Sequence, residues 1–148
     1  MQAMMRNAVA LAALLTVLFT NPALAQQSVA FGDYEVHYSS MNTSMLSPDV
    51  ASAYGIQRAD TQAMLNITVL DRQSDAPLAA AITASATNLT GQRRDIELRR
   101  INDQGAIYYI GQFRIHNEET LNFRIEVVPE GHDGAPLELA FRQQYFTG

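Results

Sequence analysis

Three histidines, His37, His116 and His132, are the first residues to test for chemistry, because imidazole ligates metals and titrates near neutrality. They lie far apart in the chain, and none falls in a His-Glu-x-x-His or His-x-His spacing. On a strand, His37 would share a face with Asp33 and Glu35; a solvated polar face explains that grouping as well as a metal does, so no metal is expected. The adjacent carboxylates Glu118 and Glu119 raise glycoside chemistry, which needs two acids facing one cleft. Neighbours on a strand point to opposite faces, and in a tight turn both face water. The polar run Asn117-Glu118-Glu119-Thr120 is therefore read as a turn held by its own side-chain hydrogen bonds, a structural role. No Gly-x-Ser-x-Gly frame marks a nucleophile, and no glycine-rich loop could cradle a phosphate. Lysine is absent, which removes Schiff-base and lysine-base chemistry. No catalytic residue and no cofactor are expected.

Binding chemistry has better candidates. Arg93, Arg94, Arg99 and Arg100 could form an anion stripe, but Asp95 and Glu97 alternate with them, which favours cross-strand pairing on a wet face. Six tyrosines offer large contact areas; alternation places Tyr34 and Tyr38 with the apolar set, so most belong to the core. The surface singled out for binding is the loop and short helix from Asn42 to Tyr54 with the Arg58 region, naming Asn42, Thr43, Ser44, Tyr54 and Arg58, because loops on rigid β scaffolds carry recognition.

The elements that must position these residues are strands. The stretch Ala106 to Val127 predicts a hairpin: an arm apolar on both sides at Ile107 to Ile110, a polar turn, then Leu121, Phe123, Ile125 and Val127 at alternate positions. The doubly apolar first arm suits a central strand covered on both faces. Other strands are expected at Phe31 to Ser39, Ala63 to Leu70, Arg94 to Ile101 and Leu137 to Phe146. Leu78 to Leu89 is ambiguous, since its alanines favour helix while Ile82, Ala84 and Ala86 alternate with Thr83, Ser85 and Thr87; strand is chosen. Ser40 to Leu46 reads as a loop. One short helix near Pro48 to Tyr54 has a full set of signals, with Ser47 as N-cap, Pro48 at the first position, Asp49 at the positive end and Gly55 as a left-handed stop. Ile56 can then fold back on Val50 or Ala51. About seven strands with closely spaced turns predict an all-β, immunoglobulin-like antiparallel sandwich, with a small closed barrel as the alternative.

Residues 1–25 have the layout of a signal peptide: Arg6, an unbroken apolar run from Ala8 to Phe19, the breaker Asn21-Pro22, then Ala23-Leu24-Ala25, with cleavage expected between Ala25 and Gln26. Residues 26–148 then form a single domain without cysteine, and no integral membrane segment remains. Lack of disulfides in an exported domain of this size favours a Gram-negative periplasm. Nine arginines against fifteen acids give the mature part a net charge of −6, which makes nucleic acid and anionic lipid surfaces poor partners, since phosphate binding needs a basic field.

Several blocks carry a family likeness: Phe31 to Tyr38, Asn42-Thr43-Ser44, Leu46-Ser47-Pro48, Tyr54-Gly55-Ile56, Ala106 to Gly111, Asn117 to Thr120 and Gln143-Gln144-Tyr145-Phe146. Together they resemble a small exported family of Gram-negative bacteria known as the domain of unknown function numbered forty-four twenty-six. That resemblance implies a single exported β domain and supplies no activity or catalytic residue. The sequence reading therefore favours a non-catalytic binding or protein-interaction module whose partner is an envelope protein or a small ligand. Two alternatives stay open: a hydrolase acting on an envelope sugar or peptide through carboxylates from distant strands, and a folding factor or inhibitor acting by strand addition. The second would need an unpaired sheet edge without charge or proline. Oligomeric state is left open.

Overall fold

The computed structural model describes residues 26–148, so the expected signal peptide lies outside the described residues. Nine strands form: β1 (Gln27–Phe31), β2 (Tyr34–Asn42), β3 (Gln62–Asp71), β4 (Ala80–Asn88), β5 (Arg93–Ile96), β6 (Arg99–Asp103), β7 (Ala106–Arg114), β8 (Glu119–Pro129) and β9 (Leu137–Tyr145). A 3-10 turn (Thr43–Met45) and helix α1 (Pro48–Ala53) sit between β2 and β3. Two antiparallel sheets result, ordered β1-β2-β3-β7-β6 and β5-β4-β8-β9. Omitting β1, these orders are A-B-E-D and C′-C-F-G, the immunoglobulin arrangement; β1 is an added edge strand beside A. The sheets do not close on each other, which removes the barrel alternative.

Alternation does what the sequence pattern required of it. Val36, Leu65, Ile67 and Val69 from the first sheet meet Leu121, Phe123, Ile125 and Val127 from the second, all essentially without solvent contact. Each such side chain contributes about 1.5 to 3 kcal/mol by leaving water. Phe123 stacks on Phe141 with ring centroids 4.4 Å apart. Tyr109 spans the layers, its hydroxyl accepting from the Ala80 amide at 2.9 Å. A second cluster, Ala51, Ile56, Met64 and Ile110, lies on the outer face of the five-stranded sheet beneath α1. This cover is why β7 is apolar on both sides, as a strand buried on each face must be.

Helix α1 ends as its residues dictate. Ser47 Oγ accepts from the Val50 amide at 3.3 Å, Gly55 adopts φ +67°, and Ile56 N–H reaches Ala51 O at 2.8 Å while Gly55 N–H reaches Ser52 O at 3.2 Å. Those two bonds are a Schellman closure. Arg99 Nη2 donates to Tyr54 O at 2.9 Å, placing a cation at the negative end of the helix.

Four expectations are corrected. Ala106 to Val127 is no hairpin: β7 belongs to the first sheet and β8 to the second, and the Ile115–Glu118 link arches across the core with Ile115 fully buried. Hairpins and arches share the same inward alternation, so the pattern could not tell them apart. The strand Arg94 to Ile101 is really two, because the chain changes sheets at Glu97-Leu98. It crosses over Gly111, where an added Cβ would lie 2.6 Å from Glu97 O and 2.7 Å from Ile96 Cγ2. Phe31 to Ser39 is split by a Gly32-Asp33 turn, Gly32 having φ +57°, and the Ser40 to Asn42 part of the presumed loop continues β2. The strand chosen for Leu78 to Leu89, by contrast, is borne out over Ala80–Asn88, β4 pairing with β8 along its whole length.

Candidate binding groove

The two-residue turn at Gly32-Asp33 makes Phe31 and Tyr34 a hydrogen-bonded pair, which fixes the phase of β2. Its even-numbered residues direct their backbone groups toward β1 and its odd-numbered residues toward β3. Pairing with β1 stops at Gln27 opposite Tyr38, whereas β2 runs on to Asn42. Beyond that point the backbones of Ser40 and Asn42 face a groove of about 740 Å³ at the seam between the two sheets.

The far wall of the groove is the end of β9. Tyr145 is buried, and its hydroxyl lies 2.5 Å from Ser40 Oγ, which also donates to Met64 O at 2.8 Å. Burial pushes the Tyr145 phenol well above the ordinary tyrosine value. Gln143 Nε2 donates to Ser40 O at 3.0 Å, and Asn42 Nδ2 to Phe146 O at 2.7 Å, so amides of one sheet satisfy carbonyls of the other. Ser39, Met41, Asn66 and Tyr108 form the floor, with Asn66 Oδ1 buried and accepting no hydrogen bond within the protein. Met45 and Phe146 stand at the rim, 67% and 55% exposed, two of the four large apolar side chains that the described residues leave in water. No Asp, Glu, His or Arg contributes to the lining.

The residues singled out from sequence divide around this groove. Asn42 lies in its wall. Thr43 is completely buried beside it: its Oγ1 accepts from the Ala59 amide at 2.9 Å and lies 3.1 Å from both Ala59 O and Gln62 O. Arg58 Nη2 donates to Ser44 O at 3.0 Å, so those two and Thr43 tie the following loop to the turn that carries Met45. Tyr54 stands apart, stacked obliquely near Tyr108 with its hydroxyl 3.3 Å from Asp103 Oδ2; burial, then the Asp103 hydrogen bond, raise its pKa. Sequence reasoning missed Gln143, Phe146, Met45 and Asn66. The available signal was the uncharged, partly aromatic Gln143-Gln144-Tyr145-Phe146 following an alternating strand.

Charged side chains are engaged elsewhere. Glu119, expected to face water, forms a two-pronged pair with Arg94, Nη1 to Oε1 at 2.8 Å and Nη2 to Oε2 at 2.7 Å, both half-buried or less exposed. Arg94 holds the Glu119 carboxyl below the usual carboxylate range, and Glu119 in turn raises Arg94. Arg94 Nη1 also reaches Arg114 O at 3.2 Å, closing the arch end of the core. Asn117, read as a turn former, accepts from the Thr147 amide at 3.0 Å, and Glu118 takes φ +61°. Arg93 pairs with Asp95 on the surface, two residues along the same strand and not across strands as the alternation led us to expect. His37 lies 3.3 Å from Glu35, His132 packs edge-on against Tyr34, and among the described residues no three His, Asp or Glu converge as a metal site.

An immunoglobulin-type β-sandwich with an uncharged groove at its sheet seam is the class of protein that these features define. The chain belongs to the DUF4426 family, a domain of unknown function, whose model matches residues 28–148. A solved DUF4426 family protein of Pseudomonas aeruginosa PAO1 is 38% identical, with a TM-score of 0.72 over 83% of this chain and 96% of that one. A copper-bound variant of FetP from uropathogenic Escherichia coli strain F11 shares the fold at 10% identity, TM-score 0.60, over 84% and 97% of the two chains. FetP of the same strain in its as-isolated form, recombinantly expressed in the periplasm of Escherichia coli BL21(DE3), gives 11% and 0.57, over 82% and 94%. At that identity the likeness is one of fold. No curated protein matches the chain in sequence.

Proposed function

We propose that this protein is a non-catalytic binding module of the periplasm that takes an extended, uncharged polypeptide segment into the groove beside Ser40 and Asn42. The observation that carries the reading is the lining: backbone groups in strand phase, amide and hydroxyl side chains, two exposed apolar residues at the rim and no charged side chain. An extended peptide placed in line with β1 would meet the outward Ser40 N–H of β2 there, the Ser40 carbonyl being shared with Gln143 Nε2, and Asn66 Oδ1 offers an acceptor to one of its donors. Met45 and Phe146 supply apolar contact, and a lining without counter-charges favours a segment without charges. Export rests on the signal layout of residues 1–25. Carboxylate hydrolysis finds little support, since the groove holds no acid and Glu119 is committed to Arg94.

Selection of a random heptapeptide phage library on the immobilised protein tests this. Enriched peptides should be poor in charge, and binding should vanish with Met45→Asp plus Phe146→Asp while the fold, followed by circular dichroism, is kept. Failure of any peptide to enrich, or binding unaffected by the two rim substitutions, overturns the reading.

A further inference from the structure

The four sheet edges are not alike. β5 carries Arg93, Arg94 and Asp95, β6 carries Arg99, Arg100 and Asp103, and β9 carries Glu138 and Arg142. Charges of this kind are how edge strands repel a further strand. β1 reads Gln27-Ser28-Val29-Ala30-Phe31, with neither charge nor proline. Its phase follows from the same turn: Phe31, Val29 and Gln27 bond to β2, so Ser28 and Ala30 present their N–H and C=O groups outward.

We propose that β1 pairs with β1 of a second copy, antiparallel about a two-fold axis at Val29, joining the two five-stranded sheets edge to edge. With the axis there, Ser28 of each copy faces Ala30 of the other, and the outward groups of those two residues satisfy one another in four backbone bonds. Val29 then meets its own counterpart at the non-hydrogen-bonded position, where side chains on neighbouring strands come closest. Val29 and Phe31 already pack against the core from the inner face, so the joined edges extend an apolar layer. Ser28 and Ala30 are small and exposed and impose no steric barrier. A second copy fits this edge because β1, unlike the other three edges, is uncharged, so two chains of net negative charge can meet there without opposing like charges on the paired strands. This inference goes beyond the groove reading and is independent of it.

Sedimentation equilibrium over a range of concentrations tests the pairing, using the chain as purified from cells that express and process it. Ala30→Pro removes one outward N–H and no bond to β2, and an edge strand accepts proline at such a position. Ser28→Lys places a charge on the edge. The wild type should approach twice the monomer mass as concentration rises, whereas both variants should remain monomeric with the wild-type circular dichroism and melting temperature. Met45→Asp in the groove should leave the dimer intact. A wild type that stays monomeric at every concentration overturns the proposal, as does a dimer that persists in both variants. Should the wild type be monomeric and Ala30→Pro abolish capture of a selected peptide, the edge takes a partner's strand and self-pairing is refuted.

Discussion

Tyr145 reaches across the sandwich to place its hydroxyl 2.5 Å from Ser40 Oγ, tying the last strand of one sheet to the second strand of the other. Tyr145→Phe keeps the ring packing and deletes that tie, while Ser40 retains its bond to Met64 O. A loss of about 0.5 to 1.5 kcal/mol is expected, read as a shift in urea midpoint. An undiminished midpoint would show that the tie contributes nothing net.

The same phenol sets an alkaline limit. Its folded pKa lies above the unfolded value near 10, so its contribution is fully present below about pH 10 and is lost as pH rises toward the folded value. Stability of the wild type should fall more steeply above pH 10 than that of Tyr145→Phe. Parallel curves would assign the alkaline fall to other groups.

Arg94 and Glu119 work in the opposite direction. Glu119 has a lowered folded pKa, so its contribution is present above the unfolded carboxylate range, about 4.3, and disappears as pH falls through the folded value. Arg94→Met should cost about 1.5 to 3 kcal/mol at neutral pH and reduce the dependence on acid. Urea melts at neutral pH and below pH 4 give both quantities.

Gly111→Ala tests the sheet switch. Its new methyl would press on Glu97 O and Ile96 Cγ2, a main-chain atom and a core side chain, neither of which can swing aside. Overpacking of this kind costs about 1 to 3 kcal/mol, and thermal melting should report it. A variant with the wild-type melting temperature would mean that the Glu97-Leu98 crossing slides freely over β7.

Thr43→Val removes the hydroxyl that serves the Ala59 amide and neighbours two carbonyls. Leaving a buried amide without its acceptor costs about 1 to 3 kcal/mol, and Thr43→Ser should recover most of it. Because this loop carries Met45, peptide capture should weaken as well, more in the valine than in the serine variant.

What could be read in advance was whatever depends on neighbours along the chain. Alternation placed Val36, Leu65, Ile67, Phe123 and Ile125 inside, and the run Ser47-Pro48 to Gly55-Ile56 specified a helix with both ends. Partner choice was not local. The inward pattern of Ala106 to Val127 is the same whether its arms pair or arch, and the continuous alternation from Arg94 to Ile101 conceals a change of sheet for which Gly111, in another strand, leaves the room. Binding residues divided the same way. Asn42, Thr43, Ser44 and Arg58 do gather, yet Thr43 faces inward because its partners at Ala59 and Gln62 come from beyond the helix. The opposite wall, Gln143 to Phe146, arrives from the far end of the chain through the meeting of two sheets.

An uncharged lining also fixes how the groove responds to its surroundings. With no Asp, Glu, His or Arg side chain in the wall, the one group there that would titrate between mild acid and mild alkali is the α-amino group of Gln26, the terminus that cleavage before it would leave, and capture of a neutral segment would displace few counter-ions. Occupancy of this groove would depend little on salt and would follow the concentration of the segment itself.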